Sequence, residues 1–225
     1  MKTSNKILWG GLILAILVIT TLMIVMKTHY NKELKKVKAN LVDETRKVEA
    51  FHAIHTRGNL KIKLENNSEH EVKIKAEQKH ASHIKTHVKN GCLYVTTDLD
   101  KVKSKLQEVF IKTDSLNALT MKGKGYLSGN ISTDLIKVEI HDKSHAKLEG
   151  NADKANIICD GEGRFYGNSF ETKTCKVEAR GNARVHIKVT EKIEVHAAGD
   201  SYVNYSGNPD KANINTLDNA KAKGE

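Results

Sequence analysis

From Leu116 to Glu225 the chain repeats itself, and this repetition limits its fold more than any other feature. Gly123, Asp142, Gly161, Gly181, Gly199 and Asp218 follow one another at steps of 19, 19, 20, 18 and 19 residues. Four residues before each stands an aliphatic side chain: Leu119, Val138, Ile157, Val177, Val195 and Ile214. Two residues after each comes a small one: Gly125, Ser144, Gly163, Ala183, Ser201 and Ala220. Four residues after each the chain is apolar again, at Leu127, Ala146, Phe165, Val185, Val203 and Ala222. Columns held at a fixed period of this size are the signature of a solenoid.

The local pattern selects the kind of solenoid. Apolar and polar residues alternate, as in Ile136, Val138, Ile140 and in Ile193, Val195, Ala197, which is the period of a strand with one face buried. No stretch of the repeat carries the i, i+3, i+4, i+7 stripe of an amphipathic helix, and β-branched residues are frequent. The Gly or Asp at each reference point suits a sharp corner with positive φ. A second corner is marked by Gly129-Asn130, Gly150-Asn151, Gly167-Asn168 and Gly207-Asn208. Two strands, two corners and a short third side make one coil of a right-handed parallel β-helix, an all-β fold with about 19 residues per coil. A leucine-rich repeat is the weaker alternative, because its Asn ladder and helical half are both missing.

Ahead of the repeat, residues 1–6 form a basic N-terminus, and Ile7 to Met26 contains no charge. That run is long enough to cross a bilayer core of about 30 Å as one transmembrane helix. A secretory signal is the rival reading, but Leu22 to Lys27 offers no small-x-small cleavage site. The first cysteine is Cys92, so no lipoprotein-type cysteine follows the run. Residues 7–26 therefore read as an uncleaved anchor. Lys27, Lys32, Lys35, Lys36 and Lys38 follow it, and the positive-inside tendency alone would hold the rest in the cytosol. Long domains translocate largely regardless of charge, however, and the expected place is the periplasm or cell surface, with a single pass through the membrane.

Residues 27–47 form a charged connector for which a helix is one option. They hold seven basic and three acidic residues, against 28 and 24 in residues 48–225, so less than half of the net charge of +10 belongs to the domain. Basic residues just beyond a span most simply meet anionic lipid head groups, and nucleic acid is not an expected partner. Tyr30, Leu34, Val37, Leu41 and Val48 fall near heptad spacing, over fewer heptads than a coiled coil needs. Three cysteines exclude a complete disulfide framework. In the repeat register Cys159 and Cys175 point inward on neighbouring coils but lie four residues apart, about 13 Å, too far for a bond.

Residues 48–115 read as irregular N-terminal coils. Leu60, Ile62 and Leu64 alternate before Asn66-Asn67, then Val72, Ile74 and Ala76, and Asn90-Gly91 is a hairpin signal ahead of Leu93 and Val95. Leu99 to Leu106 is polar and reads as a loop or short helix. Several motifs here resemble a known family. They are the Phe51-x-x-Ile54 opening, Gly58 before Leu60-x-Ile62, the run Val88, Gly91, Leu93, Val95, the repeated G-x-G/S turns, and the closing Tyr205-Ser206-Gly207-Asn208-Pro209. Their order and spacing resemble the putative auto-transporter adhesin, head GIN domain family of exported bacterial proteins, over residues 48–225. The resemblance implies a β-helical fold and an envelope location. It implies little chemistry, because no catalytic residues are established for the family. Asp142, Ser144, Ala183, Ser201 and Asp218 depart from its turn glycines.

Nothing in the sequence asks for catalysis or a cofactor. Glycoside hydrolysis needs two carboxyls facing each other across a cleft. Glu139, Glu178 and Glu194 on one flank, and Glu149, Asp153, Glu171, Glu191 and Asp210 on another, have basic neighbours and no inserted loop to wall a cleft. His141 and His145 are spaced like a metal pair, but no third ligand joins them at a recognisable interval. The G-x-G turns precede strands rather than helices, which excludes a phosphate loop.

One face does stand out. Three residues past each corner come Tyr126, His145, Arg164, Arg184, Tyr202 and Lys221; five past come Ser128, Lys147, Tyr166, His186, Asn204 and Lys223. These twelve outward positions hold five fixed positive charges, two histidines, three tyrosines and no acid. Tyrosines among cations suit sugar rings that bear carboxylate or phosphate. The expected ligand-binding residues are therefore Tyr126, His145, Lys147, Arg164, Tyr166, Arg184, His186 and Tyr202. The expected partner is an anionic glycan or other envelope polymer. The alternative is a protein–protein module that uses the sides or the open end of the β-helix.

Overall fold

The computed structural model describes residues 2–39, 41–98 and 107–225, and the chain divides into two units, Met1–Leu41 and Val42–Glu225. The first is a single helix, α1 (Lys2–Ala39). Within it Leu12–Lys32 has a mean hydropathy of 2.1 and exposed side chains, and is long and apolar enough to cross a membrane; a signal sequence has the same properties. Its threonine hydroxyls are satisfied inside the helix: Thr20 and Thr21 donate to the Leu17 carbonyl and Thr28 to that of Val25. Polar groups paired in this way suit a medium without water.

The charged connector is not one element. Helix α1 continues to Ala39, and Leu41–Lys47 is a strand, β1. Two contacts draw it out: Arg46 donates to the Ile84 carbonyl at 2.7 Å, and Asp43 pairs with Lys73 at 3.0 Å. Of the heptad-like positions, Leu34 and Val37 have side chains outside the described residues, and the segment Leu99 to Leu106 lies outside them altogether.

The second unit begins with β2 (Ala53–Gly58), β3 (Lys61–Asn66), β4 (Glu71–Glu77), a one-turn helix α2 (Gln78–Ala81), β5 (Ile84–Lys89), β6 (Cys92–Thr97), β7 (Glu108–Thr113) and β8 (Ala118–Gly123). It continues with β9 (Tyr126–Ile140), β10 (His145–Cys159), β11 (Arg164–Ala179), β12 (Arg184–Ala197), β13 (Tyr202–Ser206), β14 (Lys211–Thr216) and β15 (Lys221–Gly224). From β8 onward every pairing is parallel, and the whole winds as a β-solenoid of about six turns. The N-terminal part departs from the expected coils. There β4 runs antiparallel to β7, and β5 antiparallel to β6 through the Asn90-Gly91 turn, where both residues have positive φ.

Register follows the sequence columns. Leu119 pairs with Val138, and Ile157 pairs with Val138 and Val177, which in turn pairs with Val195; all five are fully buried. Ile214 pairs with Val195 but is 42% exposed, because the described chain places no turn over it. All six reference corners have positive φ, from 60° at Asp218 to 99° at Gly123, and Gly58 at 101° stacks beneath them. The two aspartates add a cap, since the amide of Gly123 donates to Asp142 Oδ2 and that of Gly199 to Asp218 Oδ2, both at 3.0 Å.

The second corners are less uniform. Gly150, Gly207 and Asn208 have positive φ, whereas Gly129 and Gly167 do not. Gly167 is needed for room: a Cβ there would lie 2.5 Å from the ring of Phe165, which packs edge-on to Phe170. The coils of 20 and 18 residues place their irregularity beyond Lys147 and Gly167, near this corner. The strands before it consequently keep an unbroken register.

Cys159 pairs with Ala179 and Cys175 with Ala155, so the two thiols are four residues out of step; both are buried and free. Burial pushes each thiol up to about 12. Such thiols pack as small apolar side chains rather than react.

Candidate functional site

The face singled out in the sequence lies on one sheet, which runs β1-β4-β7-β3-β9-β10-β11-β12-β13-β15. Inward residues fix it, because Leu127, Ala146, Phe165, Val185 and Val203 are fully buried and their neighbours on either side must point out. The first outward column pairs Tyr126 with His145, His145 with Arg164, Arg164 with Arg184, Arg184 with Tyr202, and Tyr202 with Lys221. The second pairs Ser128 with Lys147, Lys147 with Tyr166, Tyr166 with His186, His186 with Asn204, and Asn204 with Lys223. All eight expected ligand residues are thus brought onto one surface.

Their side chains add an arrangement that columns alone do not reveal. The rings zigzag between the columns: His145 to Tyr166 at 6.3 Å, Tyr166 to His186 at 6.0 Å and nearly parallel, His186 to Tyr202 at 6.4 Å. Arg164 reaches the Tyr166 hydroxyl at 3.5 Å, which steadies the guanidinium beside the ring band. Among the described residues, Arg164, Arg184, Lys221 and Lys223 have no carboxylate within 4.0 Å. Lys147 differs, since Glu149 folds back onto it at 2.8 Å and raises its pKa. Burial, and then the charge of Arg164, push the His145 imidazole below its usual range, favouring the neutral ring.

Sequence reasoning missed the other half of this sheet. Lys61 pairs with Tyr126 and Lys63 with Ser128, so β3, β7 and β4 continue both columns. The step from Lys61 to Tyr126 spans 65 residues and leaves no periodic trace. Most charges there are matched: Glu108 holds Lys61 at 2.6 Å, Asp43 holds Lys73 at 3.0 Å, and Glu71 holds Lys112 at 3.2 Å. Lys63 lies over the Phe110 ring at 5.2 Å. Unmatched positive charge is therefore densest in the C-terminal half, over β11 to β15, while Lys75 on β4 is the cation of β3, β4 and β7 left without an ion pair.

The remaining candidates separate. On the first flank Glu139 is held by Lys137, Glu178 by Lys176 and Arg180, and Glu194 by His196. On the third side Asp153 is held by Lys173 and Glu171 by Lys188, so this side is less acidic than its carboxylates imply. His141 bonds Asp160 at 2.8 Å at the corner, while His145 belongs to the ring band. No group of three or more metal-ligating side chains occurs among the described residues.

The fold is similar to solved structures described as putative adhesins. One from Bacteroides fragilis shares 20% identity at a TM-score of 0.63, covering 82% of this chain and 94% of that one. One from Parabacteroides merdae shares 13% at a TM-score of 0.48, covering 83% and 96%. A putative lipid binding protein from Parabacteroides distasonis shares 11% at 0.43, covering 83% and 97%. The first likeness shows the fold alone. No functionally curated protein matches the chain. The model of the putative auto-transporter adhesin, head GIN domain matches residues 50–209, well over half of the sequence, and the chain belongs to that family.

Proposed function

We propose that this is a non-catalytic, membrane-anchored envelope domain that binds an acidic polysaccharide or similar envelope polymer through the face over β9 to β15. The observation that carries this reading is a set of four cations without carboxylate partners beside a band of four rings. Of these, Arg164 and Arg184 repel each other at one strand spacing, about 4.8 Å, and an anion laid between them relieves the repulsion. The rings offer flat apolar surface to the sugar, and guanidinium groups form paired hydrogen bonds to carboxylate. The apolar stretch Leu12–Lys32 supports the anchor, and membership of an adhesin-like family supports the envelope.

The test is retention on an immobilised acidic polysaccharide. Replacing Arg164→Glu and Arg184→Glu together reverses two of the four unmatched charges and leaves the core untouched. Retention is expected to fall at least about tenfold and to weaken with salt in the unaltered chain. Unchanged retention in the double variant would remove the proposal.

A protein–protein module is the second reading, favoured by exposed apolar side chains on the sides of the solenoid, Leu135 at 55% and Leu217 at 61%. Light scattering over a concentration series separates it from glycan binding.

A further inference from the structure

The cationic strip is long and narrow, and carboxylates border both of its edges. Across it, each strand offers two outward positions, about 7 Å apart. Along it, Tyr126 to Lys221 crosses six strands in five steps, about 24 Å. At the corner edge Asp160 and Glu162 are paired with His141 and Lys143, and at the opposite edge Glu149 and Glu171 with Lys147 and Lys188, so each edge is a row of closed pairs. An anionic ligand lying parallel to the strands would leave the unmatched cations and pass onto these closed pairs at either end. One lying across the strands stays over cations and rings throughout.

The ring band points the same way. His145, Tyr166, His186 and Tyr202 belong to four successive strands and touch in series, so their combined surface runs across the strands. Arg164 and Arg184 lie on one flank of it, in register with each other. A polymer seated on the rings therefore meets the guanidiniums along a single edge.

Resting on the polysaccharide reading above, we infer that the face reads a linear acidic polysaccharide lengthwise, one sugar per turn of the solenoid, with the carboxylates that face Arg164 and Arg184 meeting them along one edge. A pyranose advances a chain by roughly one strand spacing, so about five or six sugars span the strip. Monosaccharides, disaccharides and compact anionic head groups use only one or two turns and bind weakly. Each added sugar engages the next turn at high effective concentration, and affinity climbs until the strip is filled.

The experiment titrates the full chain in micelles with linear oligogalacturonates of two to ten residues. Affinity is expected to rise about a hundredfold or more from dimer to hexamer and then to level off. Lys221→Glu with Lys223→Glu removes one turn from use, and levelling is then expected one residue earlier, at about five. Both substitutions are on exposed side chains, and an unchanged melting temperature confirms the fold. Poly-glutamate of matched charge is expected to bind at least about tenfold more weakly than the hexamer, because it offers no flat rings to the band.

A dimer that binds as tightly as the hexamer overturns lengthwise reading while leaving the polysaccharide proposal standing. A levelling point unmoved by the Lys221 and Lys223 changes does the same. Poly-glutamate binding equal to the hexamer removes the role of the rings. Failure of every oligomer and of long polygalacturonate to bind removes the underlying proposal as well.

Discussion

The corner column makes a quantitative prediction at Gly181. Its φ is 72°, and a Cβ built there would lie 3.0 Å from the carbonyl oxygen of Gly161 in the turn below. For Gly181→Ala the left-handed backbone costs about 1–2 kcal/mol. The close contact adds to this, because a stacked backbone cannot give way, so the total is about 2 kcal/mol. For Gly181→Asp the same Cβ is present, but the carboxylate can do what Asp142 does above Gly123, where it accepts the amide below at 3.0 Å. One such bond returns about 1 kcal/mol. The expected order is therefore Gly, then Asp, then Ala, with about 1 kcal/mol between successive variants. Urea unfolding followed by far-UV circular dichroism reads this as two successive drops in midpoint at constant slope. An alanine variant as stable as the parent would refute the steric argument. An aspartate variant no better than alanine would refute the capping argument.

Other consequences are open to quick measurement. With an excess of a thiol reagent, Cys92, only partly buried, is expected to label in the native protein, while Cys159 and Cys175 wait for unfolding. Phe165→Ala opens a cavity between turns and is expected to cost about 3–5 kcal/mol, readable by the same denaturation. Gly167→Ala, which pushes a methyl into that ring and to 2.9 Å from the His186 carbonyl oxygen, is expected to destabilise as well, and Phe165→Leu is expected to relieve only the part due to the ring. Burial lowers the pKa of His55 and of His145 in the fold, so the unfolded chain takes up their protons more readily. Their contribution to stability is complete above about pH 6.5 and is lost as pH falls through their lowered values. Replacing both with Gln is expected to flatten the melting temperature between pH 7 and about 5.

Much of this fold was legible because a period is a statement about distance. Residues 19 apart become neighbours, and Val138, Ile157, Val177 and Val195 had only one way to be buried together. Positive φ at Asp142 and Asp218 was legible for the same reason, since their place in the column required a corner. Strand β1 was not legible. Its residues, LVDETRK, carry more charge than a strand's usual pattern, and contacts to β4 and β5 from far along the chain draw it into the sheet. Nor could the antiparallel pairing of β4 with β7 be read, because the residues between them do not repeat. On the face itself, spacing gave the positions of the side chains but not their reach. That Glu149 folds onto Lys147 while Arg164 stays unmatched depends on rotamers and on which neighbour is nearer.

The stacked corners bear on how such a chain can change length. Each turn enters and leaves at the same point of the cross-section, and its contacts are with the turn above and the turn below. A segment such as residues 143–161 can be duplicated in tandem or excised, leaving a junction of the same kind as those already present. Each such event would move the outer surface by one notch, so the number of windings serves as a gauge that inheritance can reset without redesigning the interior.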